Sequence, residues 1–303
     1  SEMCIRDRNH PDYGTEKYND VFVGMMKELF QNYGPIWELW WDGANGEGPN
    51  GKKQEYDWRR YENTVRKLSP STVIFSDIGP DIRWVGNEKG IAGDPNWNFL
   101  DTTGFKRGIG APDTDTLNQG NYYGKHWIPA ECDVSIRPGW FYHANEDHKV
   151  KSPEQLFDLY LKSVGRGANL LLNVPPDRRG LIHEKDSAAL IGFKKLRDES
   201  FSDNLLKKAD TYYEFSQRDF IKKPLLLRGF DSAAAYYGIN LQNFIADFHR
   251  PATINCIVLR EAIHLGQTIR RFNIELYNND RLVGKVQGHS VGRKRILTFP
   301  AIT

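Results

Sequence analysis

Three stretches of this sequence bring carboxylates together with Trp, Arg and Gly, and they define the chemistry open to the chain. The first is Trp37-Glu38-Leu39-Trp40-Trp41-Asp42-Gly43-Ala44-Asn45-Gly46. Asp42 closes a short apolar run, and small residues follow at once. The C-terminal end of a strand in a parallel β/α fold is where reactive groups are displayed. Glycine there lets another molecule approach the backbone. Trp40 and Trp41 offer flat apolar faces that suit the C–H face of a sugar ring. Asp42 as a plain turn cap explains the local sequence equally well. Glu38 lies four residues deeper and reads as structural.

The second stretch, Asp81-Ile82-Arg83-Trp84-Val85-Gly86-Asn87-Glu88-Lys89-Gly90, carries Glu88 near Arg83 and Trp84 in a loop that follows a strand,. A solvated loop glutamate is its plainer account. The third runs from Pro129 to His143. Glu131 and Asp133 stand there at strand spacing, so both can face one cavity. Trp140 and Tyr142 can form a platform beside them. An ion pair between Glu131 and Arg137 that holds the loop shut is the competing account. Two carboxylates flanking one bond are the machinery of glycoside hydrolysis. One stays ionised to attack the anomeric carbon. The other keeps a proton near neutral pH, through burial or a neighbouring negative charge.

Other chemistries find little purchase. His143 and His148 are five residues apart, and Cys132 completes no ligand pattern, so no metal is expected. Gly108-Ile109-Gly110 is an isolated G-x-G without a preceding strand, and no dinucleotide or other cofactor is expected. No Ser or Cys sits in a nucleophile elbow. Arg293-Lys294-Arg295 reads as a solvated turn, and Asp113 and Asp115 as members of a polar loop. The 303 residues contain 41 basic and 39 acidic side chains, a net charge of +2, which leaves no footprint for nucleic acid,. The hydrophobic share of 39% is enough to bury a core,. No apolar run approaches the roughly 20 residues of a membrane span. Cys4, Cys132 and Cys256 are too few and too far apart for a disulfide framework,.

The elements that must position these groups follow from periodicity. Tyr18, Val21, Phe22, Met25, Met26, Leu29, Phe30 and Tyr33 paint one face of a helix over 15–33, capped by Thr15 and ended by Gly34-Pro35,. Ile36–Trp41 reads as a short strand, 54–68 as a helix and Thr72–Phe75 as a buried strand ending at Ser76-Asp77. Residues 86–125 read as a long functional loop. A helix over 153–165, a strand over Asn169–Val174 and a helix over 184–198 complete a run of parallel β/α units. Beyond 204 the pattern turns to β-branched and aromatic runs at 253–259, 272–277 and 296–299, with a hairpin turn at Asn278-Asn279-Asp280. All eight Trp lie at or before position 140. The fold class expected is α/β: a partial (β/α)8-type barrel over 1–203, with its first units missing, followed by an incomplete all-β, sandwich-like domain over 204–303.

Four motifs, in order, resemble the α-L-fucosidases of glycoside hydrolase family 29. They are Trp40-Trp41-Asp42-Gly43, Arg83-Trp84-Val85-Gly86-Asn87-Glu88, Glu131-Cys132-Asp133-Val134-Ser135-Ile136 and Asn169-Leu170-Leu171-Leu172-Asn173-Val174-Pro175-Pro176-Asp177. Asp7–Gly14 also looks like a segment of that family. The resemblance covers about residues 7–200, and 204–303 looks like the start of the β-sandwich that follows the barrel in many members. It implies a retaining, two-step exo-α-L-fucosidase acting on fucosylated oligosaccharides or glycoconjugates, with Asp42 matching the nucleophile. In the branch that cleaves α-1,3 and α-1,4 linkages the acid/base falls in the Arg-Trp-Val-Gly-Asn-Glu loop, which implies Glu88. In the other branch it lies in a Trp-Glu-x-Cys segment to which Glu131 would correspond, but Ala130 stands in place of that Trp. Trp40, Arg83, Glu131 and Trp140 are the implied sugar contacts. The family's upstream segment with paired histidines has no counterpart here, and Ser1–Arg6 does not look like the expected strand, so the chain reads as a fragment. The alternatives are an inactive fragment or a non-catalytic glycan-binding protein that uses the Trp-rich face. The family suggests secretion or the periplasm. Linkage, oligomeric state and compartment are not encoded in these motifs.

Overall fold

The structure is a computed structural model that describes residues 8–43, 45–107, 110–215, 220–222 and 241–303. Cys4, the lead-in 1–6, Asp7, Ala44 and the Gly108-Ile109 pair lie outside the described residues. The chain divides into two compact units, Ser1–Lys149 with Ala168–Ile182, and Val150–Gly167 with His183–Thr303.

The first unit is built on five parallel strands. β1 (Glu38–Trp40), β2 (Val73–Ser76), β3 (Ile82–Trp84), β6 (Ala130–Ser135) and β7 (Asn169–Asn173) lie side by side in that order, every pair parallel. They form a partial (β/α) barrel, as the alternation of elements predicts. In each strand successive side chains take opposite faces. Leu39, Ile74, Arg83, Ala130 and Cys132 therefore point one way. Glu38, Trp40, Phe75, Trp84, Glu131 and Asp133 point the other, toward the inside of the barrel.

The outer face is covered by helices. α1 (Glu16–Asn32) buries Tyr18, Phe22, Val23 and Met26, which cluster with Trp41, Tyr61, Val65 and Ile74. Tyr61 and Val65 come from α2 (Trp58–Leu68). This helix begins four residues later than its periodicity predicts, because residue 54 is committed elsewhere. The buried Gln54 amide accepts from Gly14 N at 2.7 Å and donates to the Glu55 carbonyl at 2.9 Å. Asp57 caps the helix through Arg60 N at 3.0 Å. The Asn19 side chain of α1 takes up the remaining polar groups, accepting from the Tyr61 hydroxyl and from Asp57 N. Arg66 of α2 holds both oxygens of Asp81, at 2.7 and 2.6 Å, and Asp81 in turn accepts from Ile74 N. A charged fork thus ties the helix to the β2–β3 turn.

The stretch 86–125, expected to be irregular, contains a two-strand ladder and a helix. β4 (Phe99–Leu100) pairs with β5 (His126–Trp127), and α3 (Thr114–Gln119) is capped by Asp113, which accepts from Thr116 N at 2.9 Å. These short elements gather around Arg83, which also explains their absence from the sequence pattern. Elements of two to six residues carry too few repeats to show a period.

In the second unit, α4 (Pro153–Lys162) opens with a complete capping box between Ser152 and Gln155,. It stacks on α5 (Glu184–Ser200), with Tyr160 between Phe193 and Phe201 at centroid distances of 6.0 and 6.3 Å. The strands beyond are antiparallel. β8 (Asp210–Phe215) lies between β9 (Phe220–Lys222) and β10 (Leu241–Asp247), β11 (Ile254–Leu259) pairs with β14 (Arg295–Ile302), and β12 (Arg271–Asn278) pairs with β13 (Arg281–His289). The β12–β13 turn is the expected hairpin, with Asn279 at φ 52°, a conformation asparagine tolerates,. Glu261 accepts from the backbone N–H of Thr268, Ile269 and Gly292 and so closes the loop ends. Among the described residues no helix is long and apolar enough to cross a membrane.

The two tryptophans that flank β1 differ sharply in burial. Trp41 is buried at 2% exposure and Trp37 is 79% exposed. Trp41→Ala is expected to cost about 3–5 kcal/mol, and Trp37→Ala to stay within about 0.5 kcal/mol, read from urea unfolding midpoints. The opposite ranking would mean that Trp41 does not pack against Trp58 and Tyr61.

Candidate active site

The inner face of the parallel sheet is lined with acids and indoles. On β1, Trp40 lies flat on Phe75 of β2, with ring centroids 4.4 Å apart and planes 8° from parallel. Its indole N–H donates across to Glu131 Oε1 at 3.1 Å. In the sheet, β1 and β6 are separated by β2 and β3. In a flat sheet three spacings would put them about 14 Å apart. A direct hydrogen bond between their side chains requires the sheet to curl toward this face. The bond is thus the signature of a barrel wall.

Glu131 is fully buried, and its second oxygen accepts from Asn169 Nδ2 at 2.6 Å. Asn169 is the residue beside it on β7. Glu38, also on the inner face, borders Glu131. Burial first, then the charge of Glu131 and a hydrogen bond to it, push the Glu38 carboxyl up to about 7. Burial also pushes Glu131 up, opposed by the hydrogen bonds from Asn169, Trp40 and Glu38. Both carboxyls thus resist ionisation, and the two border each other closely enough to share a proton as a pair,. One layer higher, Asp133 accepts from Trp84 Nε1 at 2.8 Å. Burial pushes it up to about 6, with the Trp84 N–H opposing and the charges of Glu88 and Glu131 adding.

Above these layers is the C-terminal edge of the sheet. Trp41 N makes the last ladder bond of β1, to the Phe75 carbonyl at 3.0 Å, so Asp42 sits just past the end of β1 and is half-buried. Asp77 occupies the same position after β2, and a Cβ built on Gly43 would lie 4.0 Å from its Oδ2. The loop beyond Asp42 is pinned by the Tyr13 hydroxyl, which donates to the Gly46 carbonyl at 2.8 Å. Glu88 follows β3 in a loop held by Asn87 and Asn118, both of which donate to the Ile91 carbonyl at 2.9 Å. Its Oε2 accepts from Trp140 Nε1 at 3.1 Å.

The structure brings some of the expected residues together and sends others away. Asp42 and Glu88 share one edge, with Trp140 on Glu88. Trp40 faces inward below Asp42. Trp41 points to the opposite face, against Trp58 and Tyr61, because neighbours on a strand cannot share a face,. Arg83 is fully buried on the outer face. Its guanidinium donates to the carbonyls of Leu117 and Trp97 at 2.8 and 2.9 Å, to the Ile128 carbonyl and to Asn96 Oδ1. It folds the 96–128 segment and has no surface left for a ligand. Glu131 is likewise occupied by Trp40 and Asn169. Arg137 pairs with Asp147 at 2.9 Å instead of with Glu131, and lies 4.6 Å over the Tyr142 ring, which takes Tyr142 out of any platform. Asn169, Asn173 and the proton-sharing role of Glu38 were missed in the sequence. The alternation of Asn169, Leu171 and Asn173 was the available signal for the first two. Among the described residues no group of three His, Cys, Asp or Glu stands in a metal-holding arrangement.

Residues 2–195 match the profile of the Alpha-L-fucosidase family. The chain is 40% identical to "Alpha-L-fucosidase 1" of Arabidopsis thaliana over 305 residues, covering 97% of this chain and 58% of that protein. It superimposes on a glycoside hydrolase 29 family member from an unknown rumen bacterium with a TM-score of 0.79 at 34% identity, covering 98% of this chain and 51% of the other. The solved structure of SpGH29 gives a TM-score of 0.83 at 33% identity, over 97% of this chain and 66% of the other. The chain thus spans little more than half the length of its curated relative.

The shared proton sets a pH dependence. Glu38 sits near 4.5 when unfolded and near 7 when folded. A carboxyl raised on folding lowers stability as pH climbs between those values, because the folded state must then hold an extra buried charge. Glu38→Gln keeps the site neutral and keeps a donor for Glu131. The variant is expected to match the parent at pH 5 and to exceed it in urea midpoint at pH 8. Parallel midpoint-versus-pH curves for the two proteins would show that Glu38 ionises normally.

Proposed function

Because this chain belongs to the Alpha-L-fucosidase family, we propose that the whole protein is a retaining exo-α-L-fucosidase with Asp42 as nucleophile and Glu88 as acid/base. The observation that carries this reading is the common edge. Asp42 follows β1 and Glu88 follows β3, at the C-terminal ends of strands separated only by β2. Reactive groups of parallel barrels stand at that edge. Two strand spacings amount to roughly 10 Å, and the carboxyls of a retaining pair lie about 5 Å apart. The three residues between the end of β3 and Glu88 supply the reach. Glu131 is the weaker candidate for the acid, because it is buried and both its oxygens are already in use.

In the first step the Asp42 carboxylate attacks C1 of a terminal fucose. The C1–O bond breaks, and the Glu88 proton goes to the departing oxygen. The product is an ester between Asp42 and the sugar. In the second step water attacks C1, Glu88 takes a proton from it, and the Asp42 carboxylate leaves. Trp40, held flat by Phe75 and by its bond to Glu131, presents an apolar face below the nucleophile.

The test uses the full-length protein. Asp42→Ala is expected to lower turnover of an aryl α-L-fucoside by more than about a thousandfold. Glu88→Ala is expected to recover with azide on an activated substrate, and Glu131→Ala is not. Near-normal turnover by Asp42→Ala rules out the nucleophile, and azide rescue at Glu131 transfers the acid/base role there. Fucoside binding without hydrolysis by the parent would make the protein a glycan-binding module.

A further inference from the structure

The sequence pairs Ser135 of β6 with Asn173 of β7 at the upper end of the sheet. Neither is an acid, a base or an aromatic residue, yet the two form the seat of the loop that reaches Glu88. The Asn173 amide divides its two hydrogens, donating to Ser135 Oγ at 3.0 Å and to the Trp140 carbonyl at 3.0 Å. The Ser135 hydroxyl donates to the Gly139 carbonyl at 2.7 Å and accepts from Arg137 N at 3.3 Å. The backbone of the 136–140 turn is thereby fixed at both its arms. The buried Arg137 clamps the far side through Asp147. From this seat the Trp140 ring extends to Glu88 Oε2.

The chemistry of the indole gives that contact a direction. Indole N–H only donates. A carboxyl oxygen that accepts from it does not also carry the acid's proton in good geometry, so the proton resides on Oε1. Where the indole stands therefore decides which oxygen of Glu88 bears the proton and which way it points. Within that turn, Trp140 itself is held at its carbonyl by the amide of Asn173.

We propose that Asn173 is a positioning residue that, through the Trp140 main chain and indole, aims the Glu88 proton at the oxygen of the departing group. This rests on the reading of Glu88 as acid/base. Asn173 touches neither the sugar nor Glu88; it acts at one remove. A purely structural asparagine would affect all substrates alike. An asparagine that aims a proton matters most where the leaving group needs one.

The experiment measures kcat and KM of the full-length protein on aryl α-L-fucosides that range from activated to poor leaving groups. Asn173→Ala is expected to lose about 10- to 100-fold more kcat on the poorest leaving group than on the most activated one, as a misplaced catalytic group does, with little change in KM. Trp140→Phe, which removes the N–H donor along with part of the ring system but leaves the Asn173 bond to the residue-140 carbonyl, is expected to show the same dependence and covers the case in which Asn173→Ala does not fold. Asn173→Ser, which retains one donor, is expected to fall between parent and Asn173→Ala. Glu88→Ala separates the two claims. If Glu88→Ala shows a steep leaving-group dependence and the Asn173 and Trp140 variants slow all substrates equally, the positioning role is overturned and Glu88 stands as the acid. If Glu88→Ala itself shows no such dependence and no azide rescue, the assignment of Glu88 and the positioning role fall together.

Discussion

A single hydrogen bond between Trp40 and Glu131 carries the geometry of the first unit. It joins strands that stand three places apart, and it forms because the sheet curls. Once formed, it gives a buried carboxylate a donor that a dry barrel interior must supply. Hydrogen bonds to a charged acceptor contribute about 1.5–3 kcal/mol each, and Glu131 receives two, from the indole and from Asn169. Glu38 borders it as well. The inner face is thus polar, and its acids are held by neutral N–H groups and by each other.

This arrangement sorts the acids by height. The lowest layer, Glu38 with Glu131, is closed and shares a proton. The middle layer, Asp133 under Trp84, is buried and raised. The top layer, Asp42 and Glu88, lies beyond the strands, where loops hold it. Glu131 and Asp133 are buried, Asp42 is half-buried and Glu88 is exposed, so the freedom to meet another molecule is greatest at the top. Each layer pairs an acid with a tryptophan: Trp40 with Glu131, Trp84 with Asp133, Trp140 with Glu88. Tryptophan suits the task because it is a large apolar body with one donor and no acceptor. Five of the eight tryptophans before position 141 serve in these pairs or in the Trp41–Trp58 contact of the outer core.

Arg83 illustrates what a motif conceals. It sits between Ile82 and Trp84 in a segment that carries Glu88, and its charge suggests a ligand. Strand alternation sends it to the outer face, where its guanidinium makes four hydrogen bonds to neutral acceptors from the 96–128 segment. Burial pushes its pKa down, and the side chain serves as a hub on which two short strands and a short helix are assembled. The same alternation separates Trp40 from Trp41. Nearness in sequence brought these residues under suspicion together, and the pleat of the sheet divided them.

The periodic elements were legible in the amino-acid order. The α1 face, the β2 run, the Asn169–Asn173 strand, the 184–200 helix and the hairpin at Asn279 all follow from local patterns that need no partner to be visible. Asp42 and Glu88 were legible as carboxylates at the ends of strands. What local pattern could not encode was the curl, since curvature is a property of several strands acting together. From the curl come the Trp40–Glu131 bond and the meeting of Glu38 with Glu131, while the register of β6 on β7 sets the partners of Asn169 and the seat that Asn173 makes for Trp140. The sequence alone determined which side chains were available and which face of its own strand each would take. The tertiary structure decided which faces meet, because contacts across a barrel join residues as far apart as 40 and 131, and no local period reaches that distance.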